Sequence, residues 1–158
     1  MKIFLISMAV AAVSFTACTS PDKSGEQKHT TKTESAMNNV VSIIEIPVTD
    51  LPRAIKFYNT ILKITIQEAE MGDVKMGVLP AEEGSVNVVL TKGADYKPVA
   101  DGCILYLNGG DNLQTVLDKI EPNGGQVIVP KTEISPEMGF FALFIDTEGN
   151  KLGLHSDN

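Results

Sequence analysis

"GFFALFIDTEGNKLGLHS", Gly139 to Ser156, reads as two strands joined by a tight turn. Its first half is apolar throughout, with Phe140 and Phe144 on one face and Phe141 on the other, so it should pack on both sides. "DTEGN" then supplies the Asp, Gly and Asn that a reversal needs, and "KLGLHS" leaves it as a second strand. Alternation places Gly153 and His155 on one side of that strand. His155 and His29 are the two histidines of the chain.

Upstream, the same order of elements occurs twice. "VVSIIEIPV" is β-branched and strand-like, with Pro47 near its exit. "TDLPRAIKFYNTIL" carries Leu51, Ile55, Tyr58 and Leu62 at helical spacing, Pro52 in the first turn, and Asp50 or Thr49 as the cap. Three short strands are expected in "KITIQEAE", "DVKMGVLP" and "SVNVVLTK". After the linker "GADYKPVADG", where Tyr96 is a candidate lid contact, "DGCILYLNG" is again a strand. "GDNLQTVLDKIEPNGG" is again a helix, capped by Asp111 and stopped at Gly124–Gly125. "QVIVPKTEIS" and the closing hairpin complete the second β-α-β-β-β unit. The repeat is one of pattern, since the halves share little identity.

Two such units in tandem resemble the vicinal oxygen chelate superfamily, which includes glyoxalase I, bleomycin-resistance proteins and extradiol dioxygenases. "IPVTDLPRAIKFYNTIL" is similar to that family's opening strand and helix, and "GFFALFIDTEGNKLGLHS" to its closing hairpin. The resemblance implies an α+β, glyoxalase-like fold: a cupped, mixed and antiparallel sheet over residues 39–158, with modules at about 40–92 and 101–156. It implies less about activity, because one scaffold hosts many functions.

Metal-dependent members bind a divalent ion through His and Glu residues on the first and fourth strands of each module. By the resemblance, those positions fall on Ile43, Val89, Cys103 and Gly153, which cannot assemble a nitrogen and oxygen site. No metal and no other cofactor is therefore expected. Alternation offers a displaced set, Glu45 beside Ile43, Asn87 beside Val89, and His155 beside Gly153, with Cys103 as a fourth cup residue. Glu45, Asn87, Cys103 and His155 are the candidate ligand-binding residues. Glu45 and His155 are the candidate catalytic pair, the carboxylate orienting the imidazole for proton abstraction. Against this stands a plainer reading, with Glu45 a polar cavity wall and His155 a neighbour near the end of the strand.

The N-terminus is read as a targeting segment. Lys2 precedes the apolar "IFLISMAVAAVSF", too short to span a bilayer comfortably. "FTAC", Phe15 to Cys18, resembles a bacterial lipobox, with Phe15 where such boxes usually carry Leu. The expectation is a signal peptide over 1–17, a lipidated Cys18, and a polar tether over 18–38; an ordinary signal peptide is the alternative. Either exports the protein, the first to a lipid anchor in the bacterial cell envelope. Cys103 then has no disulfide partner and is expected as a buried thiol. A net charge of −7 argues against nucleic acid as a partner.

The leading expectation is an envelope-anchored, glyoxalase-like domain that binds a small organic ligand without the family metal, with a homodimer expected by the resemblance. The alternatives are a lactoylglutathione-lyase-related lyase or isomerase using His155 and Glu45 or a displaced metal, and a structural or interaction module.

Overall fold

Asp50 starts the first helix, its carboxylate accepting from the Arg53 amide at 3.1 Å. Pro52 sits within the first turn of that helix, α1 (Leu51–Leu62), where a missing N–H costs nothing. Leu51, Ala54, Phe57, Tyr58 and Ile61 are buried along one face, and Lys63 closes the helix in the left-handed conformation at φ 56°. The computed structural model describes residues 39–158. The expected signal peptide, Cys18 and the expected tether lie outside the described residues, among which no helix is long and apolar enough to cross a membrane.

Before α1 runs β1 (Ile43–Pro47), and after it β2 (Gln67–Met71), β3 (Val74–Val78) and β4 (Asn87–Lys92). They form one sheet in the order β1-β4-β3-β2, with β1 and β4 parallel and the other pairs antiparallel. The second half repeats this plan with β5 (Tyr106–Asn108), α2 (Gln114–Ile120), β6 (Gln126–Ser135), β7 (Gly139–Ile145) and β8 (Lys151–Ser156). Its order is β5-β8-β7-β6, with β5 and β8 parallel. The result is the α+β fold of two mixed four-stranded sheets that the repeat predicts.

Some boundaries differ from the sequence reading. β2 begins at Gln67 because Lys63 turns the chain, and Ile66 is drawn to the core with its amide on the Asn59 side chain. β5 keeps only three residues of "DGCILYLNG", since the linker approaches β8 irregularly, Val99 and Leu105 accepting from Lys151 and Gly153. Asp111 does not cap α2. Asn112 Oδ1 takes the Gln114 amide, and Ser156 Oγ, at the end of β8, takes that of Leu113.

One hydrophobic core runs through both halves. Phe57 of α1 lies against Phe144 of β7, ring centroids 6.3 Å apart. Gly125 permits this approach, because a Cβ there would stand 2.7 Å from Ile120 and 3.1 Å from Phe57. Polar contacts add to the apolar seam. Within "DTEGN", Asp146 Oδ1 accepts from the amides of Glu148 and Asn150, and Gly149 supplies φ +99°. Asp146 Oδ2 receives the Tyr58 hydroxyl at 2.7 Å, and Asn150 Nδ2 donates to the Pro47 carbonyl. Burial, then the charge of Asp146 and this hydrogen bond, push the Tyr58 hydroxyl well up, so it stays a donor.

Glu148 crosses to the start of α1. Its Oε2 accepts from the amides of Thr49 and Asp50, both at 2.9 Å, and from the Thr49 hydroxyl. Arg53 grips both oxygens, Nε to Oε1 at 2.8 Å and Nη2 to Oε2 at 3.0 Å. The side chain has no solvent exposure. Desolvation raises its pKa, but the hydrogen bonds from Arg53, Asp50 and Thr49 outweigh that and hold it at about 2, below the ordinary 4.5.

Because the folded value is the lower one, Glu148 stabilises the fold fully above the unfolded carboxylate range and loses that contribution as pH falls toward 2. Glu148→Gln is therefore expected to lower the urea midpoint at pH 7, with the gap from wild type narrowing between pH 4.5 and 2. A gap independent of pH would show that the charge contributes nothing.

Candidate functional site

In each sheet, one face lies under the helices and the other is free of them. β1 sends Ile46 into the core, while Ile43 and Glu45 share the opposite face. The parallel ladder pairs Ile43 with Asn87 and Glu45 with Val89, so these four residues sit together on the helix-free face of the first sheet. In the second sheet Leu152, Leu154 and Ser156 turn inward, leaving Gly153 and His155 on the free face. Their ladder partners there are Tyr106 and Asn108 on β5, and Leu143 and Phe141 on β7.

Glu45 is held locally. Thr91 donates its hydroxyl at 3.1 Å, and Tyr96 reaches back from the linker to both carboxylate oxygens at 3.2 and 3.3 Å. Desolvation, then the charge of Glu45 and this hydrogen bond, raise the Tyr96 pKa. His155 is half-buried and bound elsewhere, its Nε2 donating to the Met138 carbonyl at 2.7 Å. A carbonyl can only accept, so Nε2 carries a proton. Among the described residues, no ion pair joins Glu45 to His155. The catalytic candidates thus have separate partners on separate sheets.

Cys103 corrects the sequence reading twice. The thiol is exposed, where a buried one is expected. It also precedes β5, outside the ladder, and the β5 residue opposite Gly153 is Tyr106. Asn87 is exposed at the start of β4 beside Ile43.

The donor set does not fit a metal. Ile43, Val89 and Gly153 carry no side-chain donor, and no three His, Cys, Asp or Glu residues converge among the described residues. Space is also lacking at Gly153, where a Cβ would meet the Tyr106 ring at 2.3 Å. Tyr106 therefore covers the backbone from which, by the resemblance, a fourth ligand is expected to project. It meets Phe141 edge-on, centroids 6.5 Å apart, and these two with Ile134 and His155 line an apolar depression of about 370 Å³. Sequence reading missed Tyr106 and Ile134 as wall residues. The signal available was the pairing of the strand after the linker with β8.

Two tandem βαβββ modules with helix-free sheet faces define a glyoxalase-like domain. The profile of the Glyoxalase/Bleomycin resistance protein/Dioxygenase superfamily matches residues 39–154, and the chain belongs to that superfamily. It is 27% identical over 117 residues to a glyoxylase-like domain-containing protein of Didymella fabae, covering 72% of this chain and 91% of that protein. Among solved structures it resembles a glyoxylase/bleomycin resistance protein/dioxygenase domain from Frankia sp. EAN1pec, with TM-score 0.59, 16% identity, and coverage of 76% of this chain and 98% of that one. It also resembles a glyoxalase I variant from Zea mays, at TM-score 0.56 and 16% identity, matching 73% of this chain but spanning only 45% of that protein.

The Tyr106 contact has a measurable cost. Gly153→Ala should destabilise the protein by about 1–3 kcal/mol through overpacking. In a Tyr106→Ala background the same change should cost little, giving a large coupling in a double-mutant cycle of urea midpoints. Equal costs in both backgrounds would mean that Tyr106 does not fill this space.

Proposed function

We propose that this domain binds a small organic molecule on the helix-free face of its second sheet and does so without a metal ion. The observation that carries the reading is the Tyr106 ring lying over Gly153, 2.3 Å from where a ligating side chain would begin. Ile43 and Val89, at two of the other three positions the resemblance singles out, reinforce it, since neither can donate to a cation. What remains on that face is an apolar depression of ligand size bordered by His155, and an apolar hollow with a polar group to orient its occupant is the usual composition of a small-molecule site.

A lyase or isomerase built on Glu45 and His155 draws no support from the geometry. Thr91 and Tyr96 occupy Glu45, and the Met138 carbonyl holds His155. Pairing of two copies through the free faces is part of the proposal, supported by the exposure of Ile43, Tyr106 and Ile134 there. So is export to the bacterial envelope through a lipidated Cys18, supported by "FTAC" after an apolar run and before a polar stretch.

Calorimetric titration of the purified chain with nickel, zinc and iron(II) is expected to give no saturable heat at micromolar protein. One tightly held ion per chain would overturn the metal-free reading. Treatment of cells with an inhibitor of lipoprotein maturation should leave the full-length precursor, whereas unchanged processing would overturn lipidation at Cys18.

A further inference from the structure

The depression beside Tyr106 has a chemistry narrower than "organic ligand". Resting on the reading above, we infer that its ligand is an uncharged, planar aromatic molecule bearing a single hydroxyl or N–H donor, with His155 as the acceptor that selects it.

The aromatic part follows from the walls. Tyr106 and Phe141 stand at 63° to one another with centroids 6.5 Å apart, and Ile134 closes the apolar side. A flat ring in that corner can stack on one aromatic face while presenting its edge to the other. An aliphatic body of equal size would bury similar area but forgo the ring–ring terms, each about 0.5–1.5 kcal/mol. A volume of about 370 Å³ suits a molecule of one or two rings.

The polar part follows from His155. With Nε2 spent on the Met138 carbonyl, Nδ1 is the ring nitrogen left to accept, and no hydrogen bond to it is formed among the described residues. A ligand hydroxyl or N–H can. Charge is excluded by the surroundings. Neither this depression nor its neighbour, lined by Tyr106, Leu107, Asn108, Gly110, His155, Ser156 and Asp157, contains a Lys or Arg. An anionic group in the depression would find no Lys or Arg, with the Asp157 carboxylate lining the neighbouring hollow, and a cation would have to be desolvated against Phe141 and Ile134.

The test uses the purified full chain and four probes: 2-naphthol, 2-methoxynaphthalene, naphthalene-2-sulfonate and the saturated analogue decahydro-2-naphthol. Binding is followed by NMR on the side-chain signals of Tyr106, Phe141 and His155. The expected result is saturable 1:1 binding of 2-naphthol, weakened about three- to tenfold in the methoxy analogue, which lacks the donor. The sulfonate and the saturated alcohol should bind more weakly still. His155→Leu should bring 2-naphthol down to the level of the methoxy analogue and leave the latter unchanged. Tyr106→Ala should weaken both aromatic probes together.

If the saturated alcohol binds as well as 2-naphthol at these residues, the aromatic inference falls and the organic-ligand reading stands. Tighter binding of the sulfonate, or no change in 2-naphthol binding in His155→Leu, would likewise overturn the assigned class alone. If none of the four probes shifts these residues, both readings fail.

Discussion

The Glu148 carboxylate ties the last turn of the second module to the first helix of the first. It accepts from two backbone amides, the hydroxyls of Thr49 and Thr147, and Nε and Nη2 of Arg53, with no solvent exposure of its side chain. A carboxylate so placed would be costly without these partners, and with them it gains several charge-assisted hydrogen bonds. The neighbouring Asp146–Tyr58 and Asn150–Pro47 bonds act across the same seam. Phe57 against Phe144 then packs the apolar side of the joint. Every residue of "DTEGN" that the turn or the seam needs is thus spoken for: Asp146 and Gly149 for the reversal, Glu148 and Asn150 for the contact.

Fixing the modules through their helices has a consequence for function. The helix-covered faces are committed to the core, which leaves the opposite faces open. On the first sheet, Tyr96 folds back from the linker and hydrogen-bonds Glu45. On the second, Tyr106 lies over Gly153 and opens an aromatic corner beside His155. A side chain at Gly153 and the Tyr106 ring in its present place are mutually exclusive. Glycine at 153 and the Tyr106 ring on the partner strand therefore depend on each other.

Much of the fold was legible because its signals are local and repeated. Asp50 and Pro52 mark the start of α1, the alternation of "KLGLHS" sets β8, and Gly124 ends the second helical segment at φ 92°. The misreadings occur where tertiary contacts override local pattern. Ser156, far along the chain, serves the α2 terminus that Asp111 was expected to cap. Cys103 was placed in the site by the resemblance, but the linker meets β8 irregularly, and the register there is set by Leu105 accepting from Gly153. Parity alone put Glu45 and His155 on helix-free faces. It could not reveal that Tyr96 and the Met138 carbonyl are their partners, since those lie on a linker and a hairpin whose paths depend on the packed core.

Metal-free binding depends on what occupies the free face next to Gly153. The most direct measurement is an anomalous difference map at the nickel absorption edge, from crystals of the protein grown with nickel. The account predicts no peak within bonding reach of Ile43, Val89 or Gly153, and the Tyr106 ring ordered over Gly153. A strong peak there, ligated by side chains with Tyr106 swung aside, would contradict it.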